Sequence, residues 1–317
     1  MPTWGQLLQE LQAEQERTKQ LPYDTIRRKY IAELYSYTKR NIILYSTKWT
    51  QPGEVKPEAV SITDEDVQGL MEVVYELQSQ ELDLILHSPG GSAEATEAIV
   101  TYLRSKFRDI RVIVPHGAMS AATMLACSAN RIVMGKHSFL GPIDPQFILQ
   151  TPLGIQVVPA QAILDQFRQA QSECKNPQLL SSWLPILSQY GPALLVQCEN
   201  AIKLSQELVT TWLASYMFEG KSPEQAKKIA DDLSRHGDFK SHGRHISLST
   251  AKKIGLIVEA LEDDHRFQEK VLSVFHATMH TFGGTPAVKI IENHLGRAYI
   301  KMQQQIIIPP PQSPRQS

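Results

Sequence analysis

A serine hydroxyl becomes a nucleophile when it stands on a rigid turn, with a base to take its proton and N–H donors aimed at the oxyanion that forms. Two short segments supply parts of that set: His87-Ser88-Pro89-Gly90-Gly91-Ser92 and, 26 residues past Gly91, Gly117-Ala118-Met119-Ser120-Ala121-Ala122-Thr123-Met124. Gly90 and Gly91 can bare their backbone N–H groups and adopt positive φ at little cost. Ser120 opens an apolar run, so the N–H of Ala121 lies beside its hydroxyl, and a helix starting there adds its dipole. Together these residues make Ser120 a candidate nucleophile for acyl transfer, with Gly90, Gly91 and Ala121 as the oxyanion-hole region. Taken singly, Pro-Gly-Gly is a tight turn and Ser120 a helix cap. Their occurrence on consecutive strand–helix units is what points to chemistry.

The elements that must position them follow from the hydrophobic pattern. Residues 4–20 and Tyr23 to Arg40 read as two amphipathic helices forming an N-terminal extension, 1–40. Apolar runs at 42–45, 82–87, 110–114 and 131–134 read as strands, and the stretches around 63–77 and 96–107 as helices, the first capped by Thr63. That alternation predicts a parallel sheet with right-handed crossovers, an α/β fold over 41–262. Ala121 to Cys127 is apolar on nearly all sides, as in a helix buried in the core. After Gly141-Pro142-Ile143-Asp144-Pro145 and a strand-like run at 155–158, the chain reads as mostly helical. Ser222-Pro223 marks a helix start, and a last strand is expected at 256–258. Residues 263–317 read as a C-terminal helical segment, with a disordered, proline-rich tail from Ile306.

Composition narrows the function classes. A formal net charge of −1 with 42% apolar residues fits a soluble globular protein and gives no basic face for nucleic acid. Cys127, Cys174 and Cys198 are scattered and odd in number, without CxxC spacing, so neither a disulfide framework nor a metal site is expected, and a reducing, cytoplasmic setting is. No run approaches the length of a transmembrane segment. No GxGxxG opens a helix after a strand, so no nicotinamide site is expected, and no cofactor is invoked.

The runs LDLILHSPGGSAEATEAIVTYL and IRVIVPHGAMSAATMLACSANRIVMGKHSFLGPIDPQF resemble the serine dehydrogenase proteinase family, relatives of the Clp protease and signal peptide peptidase A. The likeness extends from about Arg28 to the 251–261 stretch. It implies a Clp/crotonase-type spiral of ββα units, a homo-oligomer, a serine endopeptidase activity on protein or peptide substrates, Ser120 as the catalytic serine, and Gly90, Gly91 and Ala121 as the oxyanion region. Ala122 stands where members often carry glycine, which places a methyl group near the acyl site.

The base stays open among three residues. No histidine stands in the Gly141–Pro145 region, where the Clp protease would lead one to look, and Asp144 there is a weak base for a hydroxyl. Signal peptide peptidase A uses a lysine, for which Lys175, 55 residues after Ser120, is the match, although it sits in a polar run. His242 lies in Ser241-His242-Gly243-Arg244-His245, and is able to reach Ser120 within a subunit or across an interface. His116 is expected to point away. If no base is present, the expected alternative is a silent oligomeric scaffold that uses the N-terminal helix and the helices from Pro192 onward as interfaces. A crotonase-like protein that binds acyl-coenzyme A is the remaining alternative, since that chemistry does not need Ser120.

Overall fold

The computed structural model describes residues 3–53, 55–151, 154–235, 239 and 241–303. Helix α1 (Trp4–Thr18) opens on a capping box made by Thr3 and Gln6, and α2 (Tyr23–Thr38) closes on Lys39 at φ 58°. Strand β1 (Asn41–Thr47) follows, then α3 (Pro57–Val60), α4 (Glu65–Val74), β2 (Glu81–His87), α5 (Ala93–Lys106) and β3 (Asp109–Val114). The short β4 (Gly117–Ala118) leads into α6 (Ala121–Cys127), β5 (Arg131–Met134) and β6 (Phe139–Leu140). A hairpin of β7 (Gln146–Thr151) and β8 (Gly154–Pro159) precedes α7 (Ala160–Glu173), α8 (Pro177–Leu187), α9 (Leu194–Trp212) and α10 (Pro223–Ser234). The chain ends as β9 (Ile246–Ser247), α11 (Leu248–Ile254), β10 (Val258–Ala260), α12 (His265–Gly284), β11 (Ala287–Asn293) and β12 (Ala298–Met302).

The main sheet runs β10-β5-β3-β2-β1-β11-β12; the first five strands are parallel, and β11 and β12 are antiparallel. Strand periodicity divides the core in two. Leu82, Leu84 and Leu86 face α4, α5, α6, α9 and α10, while Ile42, Leu44, Ile85 and Ile113 face α1, α2 and α12. This is the α/β, Clp/crotonase-type architecture with flanking helices that the sequence implies. Strand β4 pairs with β6, and β6 with β9, in a second small sheet at the end of the main one.

Three expectations need correction. The segment 263–317 is not helical throughout: after α12 the chain forms β11 and β12 and completes the main sheet beside β1. Strand β11 carries Lys289 and Glu292, yet both are fully buried. Lys289 Nζ lies 2.6 and 2.8 Å from the Asp66 carboxylate, and Glu292 takes the guanidinium Nε groups of Arg27 and Arg28, both at 2.6 Å. Helix α4 is preceded by Asp64 rather than capped by Thr63, whose N–H instead donates to the Asp66 carboxylate at 2.9 Å. The last parallel strand lies at 258–260, slightly beyond the expected run. Leu7 and Leu11 of α1 pack into the intramolecular core, while Trp4 and Leu8 stay exposed. The tail reading from Ile306 lies outside the described residues. Among the described residues no helix is long and apolar enough to cross a membrane.

Candidate active site

Strand β2 ends at His87, and the chain then runs extended between two neighbours. On one side Ser88 N–H donates to Gly117 O (3.2 Å) and Met119 N–H to Ser88 O (3.0 Å); on the other, Ile62 N–H donates to Gly90 O (2.7 Å) and Ser92 N–H to Ile62 O (3.0 Å). Because Gly90 O and Ser92 N–H both point at Ile62, the intervening Gly91 N–H is directed to the opposite side. The glycines are required here. Gly90 sits at φ +100°, and a Cβ on it would lie 2.6 Å from Met119 O, 2.8 Å from Ser120 Cβ and 2.9 Å from Ala121 N; a Cβ on Gly91 would fall 2.3 Å from Ile62 O. The two loops therefore touch through backbone, with Gly90 against Ser120 and Ala121.

Ser120 joins β4 to α6 at φ 51°, ψ −122°, a conformation that a residue with a side chain adopts only under strain of about 1–3 kcal/mol. It is the geometry of a strand–turn–helix elbow that pushes the central side chain out of the fold. Ser120 occupies the N-cap position of α6, but its side chain makes no capping hydrogen bond. The elbow is held from below. The buried Thr123 hydroxyl donates to Ala118 O (2.8 Å) and accepts from Gly141 N–H (3.0 Å), and Gly141 leaves room for Met119, whose Cε would be 2.5 Å from a Cβ there. Ala122 is fully buried in the core and does not line the pocket at Ser120, which corrects the expectation of a methyl group at the acyl site.

His87 fastens the same junction from the other face of the sheet. Its ring is fully buried, with Nδ1 3.2 Å from Gly117 O and Nε2 3.1 Å from Thr50 Oγ1. A carbonyl only accepts, so Nδ1 carries the proton and Nε2 accepts from the Thr50 hydroxyl. Burial, and secondarily the His116 imidazole, push its pKa down to about 3. Burial also lowers that of His116. Neither His87 nor His116 lines the Ser120 pocket.

Ser120 opens into a pocket of about 280 Å³ whose walls include Gly91, Ala121, Ile143, Pro145 and Phe147. Among the described residues that line it, Glu94 is the one titratable side chain, and it accepts from Ser92 Oγ at 2.8 Å. Two of the three proposed base residues are brought together, though not in this pocket. His242 Nδ1 lies 2.7 Å from Asp144 Oδ1, and Gln146 Nε2 donates to Asp144 Oδ2 at 3.3 Å. Ile143 and Pro145 face Ser120, whereas Asp144 between them lines a neighbouring cleft with Asp165, Asp231 and Arg235. Lys175 is exposed on the turn between α7 and α8 and lines neither space. The structure thus brings Ser120, Gly90, Gly91 and Ala121 together, couples Asp144 to His242, and leaves Lys175 apart. Gln146, Thr123 and Ile62 were not singled out in the sequence; their roles arise from contacts that no local pattern encodes. Among the described residues no group of three or more His, Cys, Asp or Glu side chains is placed to hold a metal ion.

A model of the family described as ClpP-like SDH-type serine proteinases matches residues 60–281. Two uncharacterized proteins of Methanocaldococcus jannaschii are similar in sequence. One is 27% identical over 73% of this chain and 68% of its own length, the other 30% identical over 62% and 60%. The chain thus spans about two thirds of the length of these curated relatives. Two solved structures of the 1510-N membrane-bound stomatin-specific protease also align. A serine-to-alanine mutant shows 16% identity and a TM-score of 0.38, covering 66% of this chain and 79% of that one. A lysine-to-alanine mutant in complex with a substrate peptide shows 15% and 0.29, covering 68% and 93%.

Proposed function

Because the chain belongs to the ClpP-like, SDH-type serine proteinases, we propose that it hydrolyses peptide bonds through an acyl-enzyme on Ser120. The observation that carries this reading is the elbow: a serine at φ 51° whose hydroxyl is not spent on the helix behind it. Attack by Oγ on a peptide carbonyl places negative charge on the carbonyl oxygen. The N–H groups of Gly91 and Ala121, on the two walls of the pocket, are the donors for that charge, and Gly90 is the residue whose missing side chain lets the two loops close on it. Collapse of the tetrahedral adduct breaks the C–N bond, the leaving amine taking the proton that the base received from Ser120, and water then hydrolyses the ester and frees Ser120.

For the base, the Asp144–His242 pair is favoured over Lys175. A carboxylate at Nδ1 fixes the imidazole tautomer and leaves Nε2 as the proton acceptor, so that movement of the pair from its place outside the Ser120 pocket toward Ser120 is part of the proposal. Gln146 bonds to Asp144 and lines the Ser120 pocket, so the position of the pair is tied to the wall against which a substrate would lie. A cytoplasmic setting is part of the same proposal, supported by three free cysteines, of which Cys127 and Cys198 are buried.

The test is covalent labelling with a fluorophosphonate. Wild type is expected to be modified and Ser120→Ala not, with His242→Gln slowed by about 10²–10⁴ and Lys175→Ala unchanged. A folded wild type that is neither labelled nor able to cleave a peptide library would turn the reading to a silent scaffold, which is supported by the absence of a histidine or lysine among the described residues lining the Ser120 pocket.

A further inference from the structure

We propose that Ser205 selects the substrate at Ser120, and that it selects a peptide with glutamine on the acyl side of the cleaved bond. The choice of bond rests on the hydrolytic reading given above, the choice of side chain on the pocket alone. Helix α9 turns one stripe inward, Cys198, Ala201, Ser205, Leu208 and Trp212, at three- and four-residue spacing. Ser205 carries the one hydroxyl in that stripe and is only 3% exposed. Inside a helix such a hydroxyl commonly bonds the carbonyl one turn back. Ser273 does so to Glu269 O and Thr278 to Val274 O, both at 2.7 Å, in α12. The Ser205 hydroxyl makes no such bond, nor one to any other described residue, yet it is not sealed away: Ser205 lines the Ser120 pocket.

Burial orients the pocket. Met124, one turn into α6 from Ser120, and Ile143 are buried and stand with Ser205 at the closed end, while Gly91, Ser92 and Glu94 are exposed at the mouth. The carbonyl carbon that Ser120 attacks is bonded to the Cα of the acyl-side residue, so that residue's side chain is the one that enters. Along its length it meets apolar walls, and at the end a hydroxyl able to donate or to accept. A hydrocarbon tip would strip that hydroxyl of water and offer it nothing in return. A charged tip would leave water for a place where, among the described residues, one hydroxyl is the polar side chain to receive it. A carboxylate would also have to pass Glu94 on the way in. An unbranched apolar stem with an uncharged hydrogen-bonding tip meets both demands, and glutamine is the residue with that build.

Coumarylamides of Ala-Ala-X, with glutamine, norleucine, glutamate or lysine at X, read the selection as kcat/KM of the full chain, since only the acyl side varies. Glutamine is expected to exceed norleucine about tenfold, and glutamate by at least about 10². Ser205→Ala removes a hydroxyl that has no partner among the described residues and is expected to melt no lower than wild type, but to reverse the order so that norleucine leads. Ser205→Cys, with a weaker donor of similar size, is expected to fall between the two. Fluorescein-labelled Ala-Ala-X carboxamides bound to Ser120→Ala, read by fluorescence polarisation, make the same comparison without turnover. Glutamine bound about tenfold tighter than norleucine there, with a wild type that resists fluorophosphonate, supports the pocket and overturns hydrolysis alone. A labelled wild type that cleaves all four peptides equally, or prefers norleucine, overturns the role of Ser205 and leaves hydrolysis standing. So do a glutamine preference that survives Ser205→Ala and a lysine peptide cleaved fastest, which would make Glu94 the selector. No labelling together with equal binding overturns both.

Discussion

Replacing Gly90 by alanine strikes the contact between the two loops while leaving the Ser120 hydroxyl in the sequence. At φ +100° an alanine is strained by about 1–3 kcal/mol. Its methyl group would also sit inside 3.0 Å of Met119 O, Ser120 Cβ and Ala121 N. Two of those three atoms are backbone, held by the β4–α6 elbow, so the clash is relieved only by moving the loops apart, at a further cost of about 1–3 kcal/mol. A total of about 2–6 kcal/mol corresponds to a fall in melting temperature of about 4–12 °C, at roughly 2 °C per kcal/mol for a chain of this size. Separation of the loops also draws Gly91 N–H away from Ala121 N–H. Loss of one oxyanion donor slows acyl transfer about 10²–10³-fold, so fluorophosphonate labelling of Gly90→Ala is expected to slow by at least about 10² while the protein remains folded below its transition. Gly5→Ala, with nothing within 4 Å of the added methyl group, serves as the control and is expected to be neutral or slightly stabilising. Wild-type labelling and melting by Gly90→Ala would refute both the strain argument and the assignment of the two loops to one site.

Three more outcomes follow from the same structure. Ser120→Gly is expected to abolish labelling yet melt higher than Ser120→Ala, by about 1 kcal/mol of stability, because glycine relieves the strain at φ 51°; equal melting of the two would remove strain from the elbow. His87 takes a proton near pH 6.5 when unfolded but only near pH 3 when folded, so the unfolded chain binds more protons between those values and stability falls as pH drops through that window. By chemical denaturation the loss at pH 4.5 relative to pH 7 is expected to be roughly 3 kcal/mol from this group, and His87→Gln is expected to flatten the slope. Lys289→Met leaves the buried Asp66 carboxylate without its cation and is expected to cost about 3–5 kcal/mol, with the double change Lys289→Met and Asp66→Asn costing clearly less than the two single losses added together.

How much of this was legible in the sequence depends on the range of the interactions involved. The strand–helix alternation from 41 to 134 was readable because the strands carry apolar residues on both faces, α4 and α5 on one face and α6 on nearly all, patterns local to each segment. Strand β11 was not, because Lys289 and Glu292 break its apolar run, and what makes them tolerable in a core lies far off at Asp66, Arg27 and Arg28. Strand β7 was hidden for a different reason: Ile148 faces outward, so the sequence does not show which side of it is the inside. At the site, the two loops were legible from Gly90, Gly91 and Ser120. The positive φ of Ser120 was not, since the glycines that allow it are Gly90 and Gly141, which stand in other segments. The pairing of Asp144 with His242, 98 residues apart, could be known only from the fold.

The placement of β11 beside β1 has a consequence for the way the chain is made. Ile43 faces Asn293 across that pair, so one side of β1 waits for a partner 250 residues further along (293 minus 43). At about 5–20 residues per second, synthesis takes on the order of 10–50 s to reach it. Strands β2, β3 and β5 emerge in between and can pair with β1 and one another as they appear, but Asp66 and Arg27 stay without Lys289 and Glu292 throughout. These ionic groups remain hydrated until the C-terminal strand arrives, and its docking, which strips them of water together, is set by the order of translation to be among the last steps of folding.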